Sequence, residues 1–229
     1  MKIMTFNILH CMNYASKKID FKKFAEEISL SGADIVGLNE VRGQGLLAGY
    51  TAQAKKLGKL TGMEHYFGKA INVAGVAPYG NGLLSKYPVI SRETVKIPDP
   101  EVKTGDQMYE SRAIIKAVID AGKKYTVLVT HMGLNTDERE NAVKTLLSIA
   151  PEKNCIIMGD FNCTPESEEL KPLSDSFICS DTEAFTFPSD KPRIKIDYIF
   201  TSKDIEVINK GTSCNIVSDH LAQWIEIKE

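Results

Sequence analysis

The chain has 229 residues, of which 43% are hydrophobic and 25% charged, as in soluble globular proteins, so a disordered, collagen-like or coiled-coil chain is excluded. Its 28 basic and 30 acidic residues leave a net charge of −2, which disfavours a protein that grips duplex nucleic acid through a basic surplus. No apolar run approaches the roughly 20 residues that cross a bilayer, and the chain opens on strand-like sequence rather than a secretory signal, so we expect a cytoplasmic protein with one domain over residues 1–229.

The first part of the chain is predicted to contain strands and two helices. Strands over residues 2–8 and 34–39 flank a helix whose apolar residues recur at 3.6-residue spacing. Asp20 is the predicted N-cap of this helix and Gly32 its stop. A second helix is predicted over residues 51–60.

The remainder of the chain is predicted to be mostly strands. They cover residues 82–85, 89–97, 112–120, 125–130, 154–158, 197–201, 205–209 and 222–227. A helix capped by Thr136 runs through Ala150, and Thr164 followed by Pro165 indicates another helix start. Because most strands are not separated by helices, two packed sheets with outer helices fit better than a doubly wound parallel sheet.

Polar residues lie where these strands meet their loops. They are Asn7, Asn39, Glu40, His131, Asp160, Asn162, Asp197, Asp219 and His220. Loops at the ends of rigid strands are where catalytic residues usually collect. If these strand ends share one edge of the sandwich, the sequence predicts a site rich in carboxylates, amides and imidazoles.

Several of these side chains suit a hard divalent cation. Glu40, Asp160 and Asp219 offer carboxylate oxygens, and Asn7 and Asn162 offer amide oxygens. Mg²⁺ and Mn²⁺ favour such ligands and are usually bound by a few carboxylates together with water and substrate phosphate. Zinc is disfavoured, because no histidine or cysteine pair has the spacing of a zinc site.

The histidines then have other tasks. His220 beside Asp197 would form an imidazole–carboxylate pair, which holds one tautomer and raises the basicity of the ring. His131 would donate to a non-bridging phosphate oxygen.

The cysteines and one basic stretch have simpler interpretations. Five scattered cysteines without a CxxC pair indicate reduced thiols; they are Cys11, Cys155, Cys163, Cys179 and Cys214. Lys191, Arg193 and Lys195 alternate before Asp197, and we interpret them as a solvated strand face or as contacts for an anionic substrate.

The same residues fall into motifs that resemble the endonuclease/exonuclease/phosphatase superfamily of DNase I-like and exonuclease III-like phosphoesterases. The motifs occur in the family's order and are Thr5-Phe6-Asn7, Leu38-Asn39-Glu40-Val41, Asn81-Gly82-Leu83-Leu84-Ser85, Thr130-His131, Gly159-Asp160-Phe161-Asn162, Ile196-Asp197-Tyr198-Ile199 and Ser218-Asp219-His220. The resemblance runs from Thr5 to Trp224. It implies an α/β fold, the four-layer α-β-β-α sandwich, and metal-dependent cleavage of a phosphate ester.

The resemblance also implies roles for individual residues. Glu40 would be the main metal ligand, with Asn7 beside it and Asp219 either binding metal or supporting the histidine pair. Asp160 would position or deprotonate the attacking water, and Asn162 would orient water and phosphate. His220, oriented by Asp197, would act on the phosphate or as the base. The remaining positions face phosphate or substrate; they are His131, Arg112 and Asn81.

The sequence leaves three functions open. The first is an Mg²⁺- or Mn²⁺-dependent phosphodiesterase on a small or lipid-like phosphodiester, favoured by the compact chain and slightly acidic charge. The second is a nuclease on DNA or RNA. The third is a non-catalytic binding module on the same fold, which predicts the loss of acidic ligands, whereas all are present. No protein partner is evident.

Overall fold

Two six-stranded β-sheets pack face to face in the computed structural model, which describes residues 1–213 and 215–228. The strands of this part of the chain are β1 (Lys2–Asn7), β2 (Ile35–Arg42), β3 (Glu64–Val73), β4 (Ala77–Ser85), β5 (Val89–Lys96), β6 (Ala113–Asp120), β7 (Lys124–His131), β8 (Cys155–Asp160), β9 (Ile178–Cys179), β10 (Asp197–Thr201), β11 (Val207–Thr212) and β12 (Gln223–Ile227). The first sheet has the order β11-β12-β1-β2-β4-β3, and the second has the order β5-β6-β7-β8-β10-β9.

Helices cover the outer face of each sheet. They are α1 (Phe21–Ser31), α2 (Gln53–Thr61), α3 (Thr136–Ile149) and α4 (Lys171–Ser176). Phe24 of α1 and Leu57 of α2 pack with Met4 and Phe6 of the first sheet, and Leu146 of α3 packs on the second sheet. The predicted four-layer α-β-β-α sandwich is thus confirmed.

The inner faces of the two sheets form an apolar core that becomes polar at one end. Because alternate residues of a strand share a face, Ile3 and Asn7 both point between the sheets. Ile3 lies in the central core with Met158, whereas Asn7 lies two steps of the alternation beyond it. The same alternation carries Asp160 onto the inner face after Met158. A polar layer therefore caps the apolar core at this end of the sandwich.

Strand register aligns this polar layer. Asn7 pairs with Asn39 between parallel strands β1 and β2. In the second sheet, Asp160 of β8 pairs with His131 of parallel β7 on one side and with Asp197 of antiparallel β10 on the other. Residues far apart in the chain consequently form one row in each sheet.

A β-bulge directs Glu40 into the polar layer. The register of β2 against β4 shifts between Leu38 and Val41, and Glu40 has a left-handed φ of 58°. Leu38 and Val41 both pack toward the outer helices, so the bulge inserts one residue into the alternation. Glu40, which regular alternation would turn outward, instead reaches the inner side.

Three sequence predictions about individual elements need correction. Strand β3 was not predicted, because it is an edge strand whose register shifts between Lys69 and Ile71 and breaks its alternation. Asn135 rather than Thr136 caps α3, and its backbone N–H donates to the Glu138 side chain at 3.2 Å. No α-helix begins at Thr164, because Thr164 closes a turn with the Ser167 N–H; a 3-10 turn at Glu168–Leu170 and then α4 follow.

Other sequence predictions agree with the structure. Asp20 caps α1 by accepting the backbone N–H of Lys23 at 3.1 Å. Four of the cysteines are free thiols, and Cys214 lies outside the described residues. None of the helices in residues 1–213 and 215–228 has the length and apolar character needed to cross a membrane.

Candidate active site

A cleft of about 470 Å³ opens between the sheets at the polar end of the sandwich. Both sheets and the adjoining loops contribute side chains to it. Those used below are Glu40, Tyr79, Glu110, Arg112, His131, Asp160, Asn162, Phe187, Asp219 and His220. The cleft therefore gathers most of the residues that the sequence singled out.

The Asp160 carboxylate is the centre of the hydrogen-bond network in this cleft. Its Oδ1 accepts the backbone N–H of Asn162 at 2.9 Å, and its Oδ2 accepts Asn7 Nδ2 at 3.0 Å. Oδ2 also lies 3.6 Å from His131 Nε2 and 3.7 Å from His220 Nε2. Burial raises the pKa of Asp160 and outweighs the opposing effect of the His220 charge. A carboxylate of this kind is suited to accept a proton from water.

His220 and Asp197 form a buried pair beside Asp160. His220 Nδ1 lies 2.9 Å from Asp197 Oδ2, and the Phe187 ring packs against the imidazole with ring centroids 4.8 Å apart. Burial alone would lower the pKa of His220, but the carboxylates of Asp197 and Asp160 raise it. The pair thus leaves Nε2 of the imidazole facing Asp160.

The Arg112 guanidinium determines the tautomer of His131. Arg112 Nη1 lies 3.1 Å from His131 Nδ1 and 3.1 Å from Glu110 Oε1. Because a guanidinium can only donate, Nδ1 is the acceptor and the ring proton is on Nε2, which faces Asp160. Burial and the Arg112 charge hold the pKa of His131 well below its usual value. His131 is therefore a neutral hydrogen-bond donor toward the cleft.

The Asn7 amide links two acidic residues through its nitrogen. Its Nδ2 donates to Glu40 Oε1 at 3.1 Å and to Asp160 Oδ2 at 3.0 Å. Its Oδ1 accepts the backbone N–H of Leu9 at 3.1 Å. Since that N–H can only donate, the amide orientation is determined, and one lone pair of the oxygen is used. Asn7 therefore positions Glu40 and Asp160 through its nitrogen, and its predicted role as an oxygen ligand stays a prediction.

Glu40 and Asp219 carry charge that a cation would neutralise. Burial alone would raise the pKa of Glu40, but contacts with His10 and Asn7 and the charge of His220 lower it to about 2. Burial raises the pKa of Asp219, and the Glu40 charge raises it further. Two carboxylates that repel each other across a polar cleft are a donor set that fits Mg²⁺ or Mn²⁺.

A second group of possible ligands lies deeper. One ligand atom from each of Asp160, Asp197 and His220 lies within 4.8 Å of the others. However, Asp197 and His220 direct their nearest atoms at each other, at 2.9 Å. Glu40 and Asp219, which line the same cleft, are therefore the better candidates for holding a cation.

Asn81 does not contact the cleft, which corrects the prediction that it binds substrate. Its side chain is 2% exposed and lies between the sheets. Asn81 Nδ2 donates to the Ala113 carbonyl at 2.8 Å, and Oδ1 accepts Asn39 Nδ2 at 2.9 Å. Both ends of the amide are thus used within the protein.

A family model described as the Endonuclease/Exonuclease/phosphatase family matches residues 4–220, nearly the whole chain. The chain belongs to this family. No curated protein sequence matches it. Family membership makes the protein a member of a phosphoesterase superfamily, and the cleft with its row of carboxylates and imidazoles is the candidate site.

Solved structures share the fold of this family member at low sequence identity. An endonuclease/exonuclease/phosphatase from Beutenbergia cavernae has a TM-score of 0.82 and 18% identity, with coverage of 100% of this chain and 71% of that one. A family protein from Leptotrichia buccalis has a TM-score of 0.80 and 19% identity, and both chains are covered completely. A mannosyl-6-phosphatase from Bacteroides thetaiotaomicron has a TM-score of 0.76 and 15% identity, again with complete coverage of both.

Sequence reasoning missed several cleft residues, three of which contact the candidate catalytic groups. Tyr79 is close to Glu40, and burial together with the Glu40 charge raises its pKa. Phe187 packs on His220, and Glu110 pairs with Arg112. Only Tyr79 had a usable signal, because strand alternation places it on the same face of β4 as Asn81.

Proposed function

We propose that the protein is an Mg²⁺- or Mn²⁺-dependent phosphodiesterase that hydrolyses a small or lipid-like phosphodiester. The observation that carries the proposal is the arrangement around Asp160 Oδ2. Asn7 Nδ2 lies 3.0 Å from this oxygen, and His131 Nε2 and His220 Nε2 lie 3.6 and 3.7 Å away. A carboxylate among hydrogen-bond donors, open to a polar cleft, suits the activation of water beside a phosphate.

The cation would be held by Glu40 and Asp219, with Asn7 fixing the Glu40 carboxylate. When bound, it supplies positive charge that neutralises the phosphate oxygens during the displacement.

The protein's own residues would do the rest of the chemistry. Arg112, His131 and Asn162 offer donors to the non-bridging oxygens. Water adds to phosphorus while the bond from phosphorus to the leaving oxygen breaks. The water proton passes to Asp160 or His220, whose Oδ2 and Nε2 are 3.7 Å apart, and the leaving oxygen takes a proton from solvent. Either residue remains a candidate for the base.

The cleft supports a small substrate. Its volume of about 470 Å³ lies within the range of small-molecule sites. Phe187, Ile194 and Ile196 give it an apolar wall, which suits a substrate with an apolar or sugar portion. The net charge of −2 also disfavours a long polyanion.

A nuclease is the second candidate, favoured by one surface feature. Lys17 Nζ lies 3.7 Å from the centre of the Tyr14 ring, and the Tyr14 backbone N–H bonds to the Val217 carbonyl, two residues before Asp219. An aromatic ring next to a basic residue beside the cleft is a surface on which an unpaired base can stack.

The test is hydrolysis of four substrates by purified protein in EDTA, then with Mg²⁺ or Mn²⁺ added back. The substrates are bis-p-nitrophenyl phosphate, p-nitrophenyl phosphate, a single-stranded oligonucleotide and phospholipid vesicles. We expect metal-dependent hydrolysis of the diester or the phospholipid in preference to the monoester. A monoester preference would refute the diesterase. Oligonucleotide cleavage that falls steeply with salt would establish the nuclease instead.

Two variants with matched controls locate the chemistry. Asp160→Asn and His220→Ala should each lose at least about 100-fold in turnover, because each removes a group placed to move a proton. Asp204→Asn and His65→Ala make the same chemical changes away from the cleft and should keep full turnover. Equal rates in all four variants would refute the assignment of the site.

A further inference from the structure

Lys195 is buried, contrary to both interpretations that the sequence suggested. Its side chain is 2% exposed, so it is neither a solvated strand residue nor a substrate contact. Its Nζ donates to Asp181 Oδ1, to the Thr182 carbonyl at 2.9 Å and to the Asp197 carbonyl at 3.3 Å. All three donors of the ammonium therefore have partners. One of these partners is the backbone carbonyl of Asp197, whose carboxylate pairs with His220 in the cleft.

Asp181 holds the same strand two residues after Asp197. It is 1% exposed, and its Oδ2 accepts the backbone N–H of Ile199 in β10. The Lys195–Asp181 pair thus hydrogen-bonds to the Asp197 carbonyl and the Ile199 N–H, two groups on the same edge of the strand.

The pair takes the place of a neighbouring strand at this edge. Strand β9 pairs with β10 only at Phe200 and Thr201, and the chain then continues through Ser180, whose N–H bonds to the Ile199 carbonyl at 2.8 Å. Beyond that point no further strand pairs with this edge of β10 in the described residues, and the side chains of Lys195 and Asp181 satisfy it.

The Asp197 side chain has little else to orient it. Its Oδ2 bonds to His220 Nδ1 at 2.9 Å, and its buried Oδ1 has no hydrogen-bond partner in the described residues. The direction of the carboxylate therefore depends on where the backbone of β10 is held.

We propose that the Lys195–Asp181 pair positions Asp197 so that it orients the His220 imidazole. A buried ion pair is often no more stabilising than apolar residues of the same volume, so stability alone is a weak reason for this pair. Its hydrogen bonds to the Asp197 carbonyl and to the backbone N–H two residues further on connect it to the cleft. The effect on turnover rests on the proposed phosphodiesterase function, whereas the effect on the His220–Asp197 hydrogen bond does not.

The test neutralises the pair with Lys195→Met/Asp181→Asn, in which the new amide can still accept the Ile199 N–H. A second ion pair in the chain provides a matched control. Lys86 Nζ lies 3.0 Å from Asp34 Oδ1 and 3.3 Å from the Gly32 carbonyl, and Asp34 Oδ2 accepts the Lys2 N–H. Lys86→Met/Asp34→Asn therefore removes an ion pair and backbone contacts of the same kind, at a partly exposed position at the opposite end of the first sheet.

The first measurement is solvent exchange of the His220 Nδ1 proton by NMR of the metal-free protein, with His220→Ala identifying the signal. We expect exchange to accelerate at least about tenfold in Lys195→Met/Asp181→Asn and to stay unchanged in the control. The second measurement is turnover of the accepted phosphodiester, where we expect kcat to fall about 10- to 100-fold with KM within about twofold.

Unchanged proton exchange in a folded Lys195→Met/Asp181→Asn protein would overturn the proposal. If no substrate is hydrolysed by the wild type, the proposed function fails, and the exchange measurement still decides the positioning role. Circular dichroism checks folding. If the double variant does not fold, Lys195→Gln takes its place in the same measurements.

Discussion

The Asn39 amide joins the two sheets directly beneath the cleft, and its removal should be costly. Asn39 Nδ2 donates to Asn81 Oδ1 at 2.9 Å and to the Thr130 carbonyl at 2.7 Å, and Oδ1 accepts the Asp160 N–H at 2.9 Å. All four residues are at most 2% exposed, so water does not replace a lost partner. Asn39→Leu keeps a similar volume and removes all three hydrogen bonds.

The expected loss of stability follows from these contacts. A buried donor or acceptor without a partner costs about 1–3 kcal/mol, and three groups lose theirs. Burial of the leucine side chain returns roughly 2 kcal/mol. We therefore expect the free energy of unfolding to fall by on the order of 4 kcal/mol, together with turnover, since the Asp160 backbone loses its anchor.

Urea unfolding of the wild type and variants, followed by circular dichroism, measures this loss. Asn141→Leu is the matched control, because the Asn141 amide makes one surface hydrogen bond, to Pro98, and its loss should cost no more than about 0.5 kcal/mol. In a double-mutant cycle, Asn81→Leu should cost about 1 kcal/mol less once Asn39 is leucine. If Asn39→Leu is no more destabilising than the control at equal m-value, the hydrogen bonds of Asn39 between the sheets do not contribute the expected stability.

Three further predictions concern the same end of the sandwich. In Gly159→Ala the added Cβ would lie 1.8 Å from the Thr130 carbonyl oxygen, at a residue whose φ is 147°. The free energy of unfolding should therefore fall by more than about 3 kcal/mol. A fall of less than about 1 kcal/mol in urea unfolding would contradict this. The pKa of Glu40 is depressed to about 2 from 4.5, so its charge stabilises the fold above pH 4.5 and this contribution disappears as the pH falls toward 2. Glu40→Gln should remove about 3 kcal/mol of the decline in unfolding free energy between pH 5 and 2, and an unaltered pH dependence would refute the depressed pKa. Asp219→Asn should weaken Mn²⁺ binding at least about tenfold by calorimetry, and equal affinity would remove Asp219 from the proposed ligands.

The sequence predicted best those parts of the site that terminate apolar strands. The strand over 197–201 has the bounds that were predicted, and His131 and Asp160 each end a run of buried residues that is visible in the sequence. Because strands are stiff and their register is set by the apolar pattern, the polar residue at each end has a predictable place. The position of the cleft therefore follows from sequence to a large extent.

The tasks of buried polar groups were not predictable in this way. Lys195 resembles any surface lysine until Asp181, fourteen residues earlier, is known to face it. Asn39 lies between polar and apolar neighbours, and its partners are 42 to 121 residues further along the chain. The bulge that turns Glu40 inward could not be predicted from the apolar alternation, because the bulge interrupts that alternation. These features depend on contacts between elements, which no local pattern contains.

Asn39 and Asn81 can hydrogen-bond to the second sheet only because the two sheets approach closely. A Cβ on Gly37 would lie 2.8 Å from Met158 Sδ and 3.2 Å from Val129 Cγ1, so glycine lets the sheets pack this closely without displacing these side chains. Gly37 lies two residues before Asn39, and Met158 lies two residues before Asp160, so the close contact is one step below the bridge. At that separation a side chain as short as asparagine spans the gap, as Asn39 does to the Asp160 N–H. A larger residue at position 37 would meet the Met158 and Val129 side chains, so either these side chains move or the sheets separate and lengthen this bond, although the residue itself touches nothing in the cleft.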